Sequence, residues 1–91
     1  MYKIKDYSYK QADRLGVEIR PSTNLKKKID VFNKKGDKIA SIGAKGYGDY
    51  PSYLEKNKKL AEQKREGYKA RHSIDRIVKG SPGFYADKIL W

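Results

Sequence analysis

Residues 27–44 read Lys27-Lys28-Ile29-Asp30-Val31-Phe32-Asn33-Lys34-Lys35-Gly36-Asp37-Lys38-Ile39-Ala40-Ser41-Ile42-Gly43-Ala44, and they decide the fold class. Ile29, Val31 and Phe32 are strand formers, and the Gly-containing linker at residues 34–37 has the length of a hairpin loop. A period of two puts Ile29 and Val31 on one face and Asp30 and Phe32 on the other. A hairpin alone is marginal in water, so one face must be covered. The helix that follows is the candidate cover.

Between hairpin and helix lies Gly43-Ala44-Lys45-Gly46-Tyr47-Gly48-Asp49-Tyr50. Its glycine spacing is not the dinucleotide fingerprint, and no long βαβ unit surrounds it. It reads as a turn carrying an exposed Tyr and Lys. Pro51, with Ser52 and Glu55 in a Ser-x-x-Glu capping pattern, opens a helix expected to run from about residue 51 to about residue 71. Its apolar stripe (Tyr53, Leu54, Leu60, Ala61, Tyr68) is narrow on a very polar rod. Ile74, Ile77 and Val78 fit one more helical turn, which Gly80-Ser81-Pro82-Gly83 stops. Phe84, Tyr85, Ile89, Leu90 and Trp91 are the densest apolar cluster of the chain. They either close the small core or dock into a partner, and the partner-anchor reading rests on Phe84, Tyr85, Leu90 and Trp91. Toward the other end, residues 1–26 read as an extended basic arm interrupted by Gly16 and Pro21, with a short strand near Leu15–Ile19 the only regular element in question.

Composition bounds the function. The 91 residues carry 22 Lys+Arg against 11 Asp+Glu, one His and no Cys. That length holds one core. The absence of cysteine removes disulfide scaffolds, zinc fingers and thiol enzymes from consideration and fits an intracellular protein. No run is apolar for long enough to span a membrane. The positive excess peaks in residues 26–48, where seven lysines face only Asp30 and Asp37. Such a field attracts polyanions: nucleic acid, an anionic membrane surface or an acidic protein face.

Catalytic chemistry finds little support. His72 would have to carry any general-base role alone with Asp75, and it is better read as a helix-end residue or a phosphate donor. Asp30, Asp37 and Asp49 are too scattered to name a Mg²⁺ site. The chain is therefore read as non-enzymatic, with no cofactor and no metal. The cationic inventory is richer. Lys64, Arg65, Lys69, Arg71 and Arg76 run along and past the helix with Tyr68 and His72 among them, although Tyr68 is better placed in a core than on a base. Lysine outnumbers arginine 17 to 5. Lysine acts as a point charge, so backbone phosphate contact with little sequence preference follows. The residues assigned to phosphate are Lys26, Lys27, Lys28, Lys34, Lys35, Lys45, Arg65, Lys69 and Arg71.

Three motifs carry a resemblance: Gly43-Ala-Lys-Gly-Tyr-Gly-Asp49-Tyr50, Tyr68-Lys-Ala-Arg71-His72, and Gly83-Phe84-Tyr85 followed by Leu90-Trp91. In this order they resemble short basic proteins of nucleocytoplasmic large DNA viruses that infect algae and amoebae. The likeness covers residues 27–91, and family members often continue past the Leu-Trp pair. It implies a setting, not an activity: a viral product made in the host cell and packaged in the virion. Two roles fit that setting. One is binding and neutralising the genome. The other is a small structural or minor capsid protein that meets acidic capsid loops and bridges subunits through its aromatic C-terminus. The expectation is thus an α+β domain, a β-hairpin or short antiparallel sheet packed on one long helix with a C-terminal aromatic segment. Its partner is nucleic acid or an acidic capsid protein.

Overall fold

The computed structural model describes residues 2–91. Among these residues four α-helices and a three-stranded antiparallel sheet, its strands side by side in chain order, make an α+β domain. Strands β2 (Lys27–Phe32) and β3 (Lys38–Ala44) form the expected hairpin. Gly36 closes its turn at φ 88°, a left-handed conformation that glycine adopts without steric cost. Ile29 pairs with Ile42 and Val31 with Ala40, while β1 (Glu18–Pro21) adds Ile19 opposite Val31. These five side chains form one buried apolar face. Asp30 points to the other side, as alternation requires.

Residues 6–15 correct the expectation of an extended arm. They form helix α1 (Asp6–Leu15), and β1 follows directly. Ile4, Ser8 and Ala12 are buried at four-residue steps. Ser8 is buried because its hydroxyl donates to the Ile89 carbonyl at 2.8 Å, while the Gln11 amide donates to the Lys88 carbonyl at 2.9 Å. Both carbonyls lie at a helix C-terminus, where no intrahelical donor remains. Gly16 ends α1 at φ 72° with its N–H on the carbonyls of Ala12 and Asp13. The residue read as a breaker of regular structure is a helix C-cap.

The helix expected over 51–71 is two helices. α2 (Tyr50–Lys56) and α3 (Lys58–Arg71) meet at Asn57, whose extended backbone (φ −165°, ψ 120°) ends the first. Its side chain accepts from the Leu60 N–H at 3.2 Å and so caps the second. Asp49, not Ser52, caps α2, accepting from the Ser52 N–H at 3.0 Å. Gly67 sits within α3 without breaking it.

Cover for the sheet comes from α1 and from α4 (Pro82–Ile89). Ile4, Ala12, Ile89 and Leu90 join the sheet's apolar face in one core, with Tyr2, Leu15, Tyr85 and Trp91 packed around it. α3 lies along the C-terminal segment instead. Arg65 Nε donates to the Trp91 carbonyl at 2.6 Å, and Tyr68 stacks on Trp91 at 4.6 Å. The C-terminal aromatics therefore close the core. Leu90 is 1 % exposed and unavailable as a partner anchor; Phe84, Tyr85 and Trp91 are half-buried. Ile74, Ile77 and Val78 differ from the expected amphipathic turn as well. They flank or belong to a single 3₁₀ turn (Asp75–Ile77) and are all exposed. Among the described residues no helix is long and apolar enough to cross a membrane.

Candidate nucleic-acid interface

Lys64, Tyr68, Arg71 and His72 recur at steps of four, three and one, which places them on one face of α3. That face forms one wall of a cleft of about 530 Å³. The glycine-rich exit of β3 (Gly43, Ala44, Tyr47, Gly48) lines it too, with Ala86, Leu90 and Trp91. Two of these glycines pack tightly against other side chains. A Cβ on Gly48 would fall 2.4 Å from the Tyr53 ring, and one on Gly43, itself at φ 77°, would fall 2.7 Å from Leu90 Cδ1.

The cleft is aromatic and cationic. Tyr68 stacks with His72 at 4.3 Å and with Trp91 at 4.6 Å, the latter pair within 9° of parallel. Tyr53 stands 6.3 Å from Trp91. Burial, with the nearby Asp87 and Asp75 charges, pushes the Tyr68 hydroxyl up to about 12, so it stays neutral at ordinary pH. At the mouth, Tyr47 is 76 % exposed. Lys64 rests 5.7 Å from the Tyr53 ring, and neither it nor Arg71 meets a carboxylate among the described residues. His72 is held by Asp75, its Nδ1 3.1 Å from the carboxylate.

Among the described residues one acidic side chain lines the cleft, and it is already satisfied. Asp49 Oδ2 accepts from Lys28 Nζ at 2.9 Å and from the Tyr2 hydroxyl at 2.8 Å, while Oδ1 caps α2. Burial acts to raise this carboxyl. The hydrogen bonds from Lys28, Tyr2 and Ser52 and the Lys28 charge outweigh it and hold the group below the usual carboxylate range. Its neighbour Tyr2 is shifted the other way, upward, by burial and by Asp49.

The residues assigned to phosphate separate into two sets. Lys28, Arg65 and Lys69 belong to the fold, which corrects their assignment. Lys28 is buried against Asp49, and its ammonium also donates to the Tyr47 carbonyl. Arg65 lies 3.5 Å over the Tyr50 ring and bonds Trp91 and Tyr7, and Lys69 bonds the buried Asp87 at 2.8 Å. In a sequence, a lysine that neutralises a buried acid looks the same as one in water. Lys26, Lys27, Lys34, Lys35, Lys45 and Arg71 remain at least partly exposed without an acidic partner among the described residues. Lys26, Lys27 and Lys45 gather where Lys27 pairs with Ala44, which itself lines the cleft. Lys34 and Lys35 sit on the hairpin turn, about 17 Å away by strand rise. The motif reading missed the cleft because its lining comes from segments that are separate in sequence, the glycine-rich loop and α3, and are brought together only by the fold. The signal available was the spacing of Lys64, Tyr68, Arg71 and His72.

Comparison of the chain with protein-family models, curated proteins and solved structures finds no match in any of the three.

Proposed function

We propose that this chain binds nucleic acid through backbone phosphates, without catalysis and with little sequence preference. The observation that carries this reading is the fate of the acidic groups. Asp30, Asp49 and Asp87 are buried and held by Ser22 and Ser41, by Lys28, and by Lys69 respectively. Each of these acids has a cation beside it, so the pairs cancel locally and the formal excess of +11 is left on the remaining, more water-facing side chains. Free lysines at both ends of the hairpin can meet phosphates several nucleotides apart, since each strand of a duplex carries one phosphate per about 3.4 Å of helix axis. The resemblance to short basic viral proteins supports a packaged viral genome as the polyanion.

Replacing Lys26, Lys27, Lys34, Lys35 and Lys45 together by Gln tests the proposal. Binding to both duplex and single-stranded DNA should fall at least tenfold while the melting temperature stays put. Unchanged affinity would refute phosphate binding by this surface.

A second reading, a small structural or minor capsid protein, draws on one observation: the exposed strip Ile74, Ile77 and Val78. Its original anchor is weakened, because Leu90 and most of Trp91 are used inside the chain.

A further inference from the structure

We infer that the cleft between α3 and the glycine-rich loop holds an unpaired nucleobase, so that the protein prefers single-stranded to duplex nucleic acid. This rests on the nucleic-acid reading above and adds to it a site, a ligand class and a strand preference. Three observations converge. The space, about 530 Å³, lies within the roughly 300–1,000 Å³ of small-ligand sites and admits a planar base with its sugar. The lining offers π-faces and edges from Trp91, Tyr53 and Tyr47, and every base has a π-face to set against them. Lys64 and Arg71 line the cleft beside the rings with no acidic partner among the described residues, and an inserted nucleotide brings its own phosphates to them.

The electrostatics agree with an anionic, aromatic guest. Among the described residues Asp49 is the acidic side chain in the lining, and it takes three donors from the protein itself, Lys28 included, which offsets its charge toward a phosphate. A base paired within a duplex cannot present its face to the cleft, whereas an unstacked base can. Tyr47 is the ring best placed to close over the guest: it is the exposed aromatic at the mouth, and Gly46 beside it has a φ of 91°. Tyr47, Lys64 and Arg71 are the residues on which the preference depends.

Trp91 is the sole tryptophan, so its fluorescence reports the cleft directly. The intact chain is titrated with an oligo(dT) strand, with a duplex of equal length and with thymidine monophosphate, at one fixed salt concentration. The single strand should quench Trp91 and bind more tightly than the duplex. Tyr47→Ala, a change at an exposed side chain, should weaken single-strand binding about fivefold or more, the low end of what a stacked base contributes, and leave duplex binding unchanged. Equal affinity for strand and duplex, with Trp91 unmoved and Tyr47→Ala silent, would overturn the cleft while leaving phosphate binding intact. Quenching by the free monophosphate at the same concentration as the oligomer would replace the single-strand site by a mononucleotide site. Failure of both polymers to bind would overturn this inference and the proposed function together.

Discussion

Lys28 Nζ lies 2.9 Å from Asp49 Oδ2 with both side chains almost wholly removed from solvent, and this ion pair ties strand β2 to the cap of helix α2. Tyr2 completes it, its hydroxyl on the same carboxylate oxygen and its ring 5.3 Å from the ammonium. One buried contact thus joins the N-terminal segment, the hairpin and the helical half, and Lys28 and Asp49 also line the cleft. Breaking such a pair from one side leaves an uncompensated charge in a place water reaches poorly. Lys28→Met should therefore cost about 3–5 kcal/mol, read as a fall in the urea midpoint. A loss below 1 kcal/mol would show that the pair is not structural.

Acid should undo the same contact. Asp49 and Asp30 both have folded values below the usual carboxylate value near 3.9 of an unfolded chain. For Asp30, burial opposes the shift, and the hydroxyls of Ser22 and Ser41, the Thr23 N–H and the Lys38 charge outweigh it. A depressed carboxyl contributes stability that is fully present above the unfolded value and is lost as pH falls through the folded one. Stability should hold from pH 7 to about 5 and decline below about pH 4. Urea midpoints at pH 6 and pH 3 check this. Asp49→Asn should start less stable and lose less on acidification.

Asn57 serves both helices, and Asn57→Ala should lower stability by about 1 kcal/mol through loss of the α3 cap. The thermal midpoint reads this. A rise would mean that one continuous helix is accessible and better.

Gly43→Ala should be more damaging than its size suggests. The added methyl meets Leu90 Cδ1 at 2.7 Å and Lys28 Cδ at 3.0 Å, and it does so at a positive φ. Overpacking of this kind costs about 1–3 kcal/mol, with the backbone strain added to it. Gly36→Ala shares the positive φ but meets nothing within 4 Å, so the difference between the two melting curves isolates the packing part.

The hairpin was legible because Ile29, Val31 and Ile42 alternate with polar residues and Gly36 marks the turn. Helix α1 was not, because the residues it buries are Ser8 and Ala12. A serine is not an apolar signal, and its burial depends on an Ile89 carbonyl 81 residues away. The break at Asn57 was hidden by the good helix formers on both sides of it. The same limit governs the candidate interface. Local spacing placed Tyr68 and His72 among cations, and it placed Tyr47 on an exposed loop. Only the fold could tell that Lys28, Arg65 and Lys69 face internal partners while Lys64 and Arg71 do not. Charge counts are visible in sequence; the pairing that cancels a charge is tertiary.

The proposed function is tested most directly by a salt titration of the wild-type chain on labelled DNA. Binding through phosphates should weaken linearly on a log–log scale, by about 0.9 per phosphate contacted on duplex. Dissociation constants at or below about 10⁻⁴ M near 150 mM salt, the range of non-specific DNA binders, with a slope of several phosphates, are the expected result. No binding there, or an affinity indifferent to salt, would contradict phosphate recognition and direct the basic surface to an acidic protein instead.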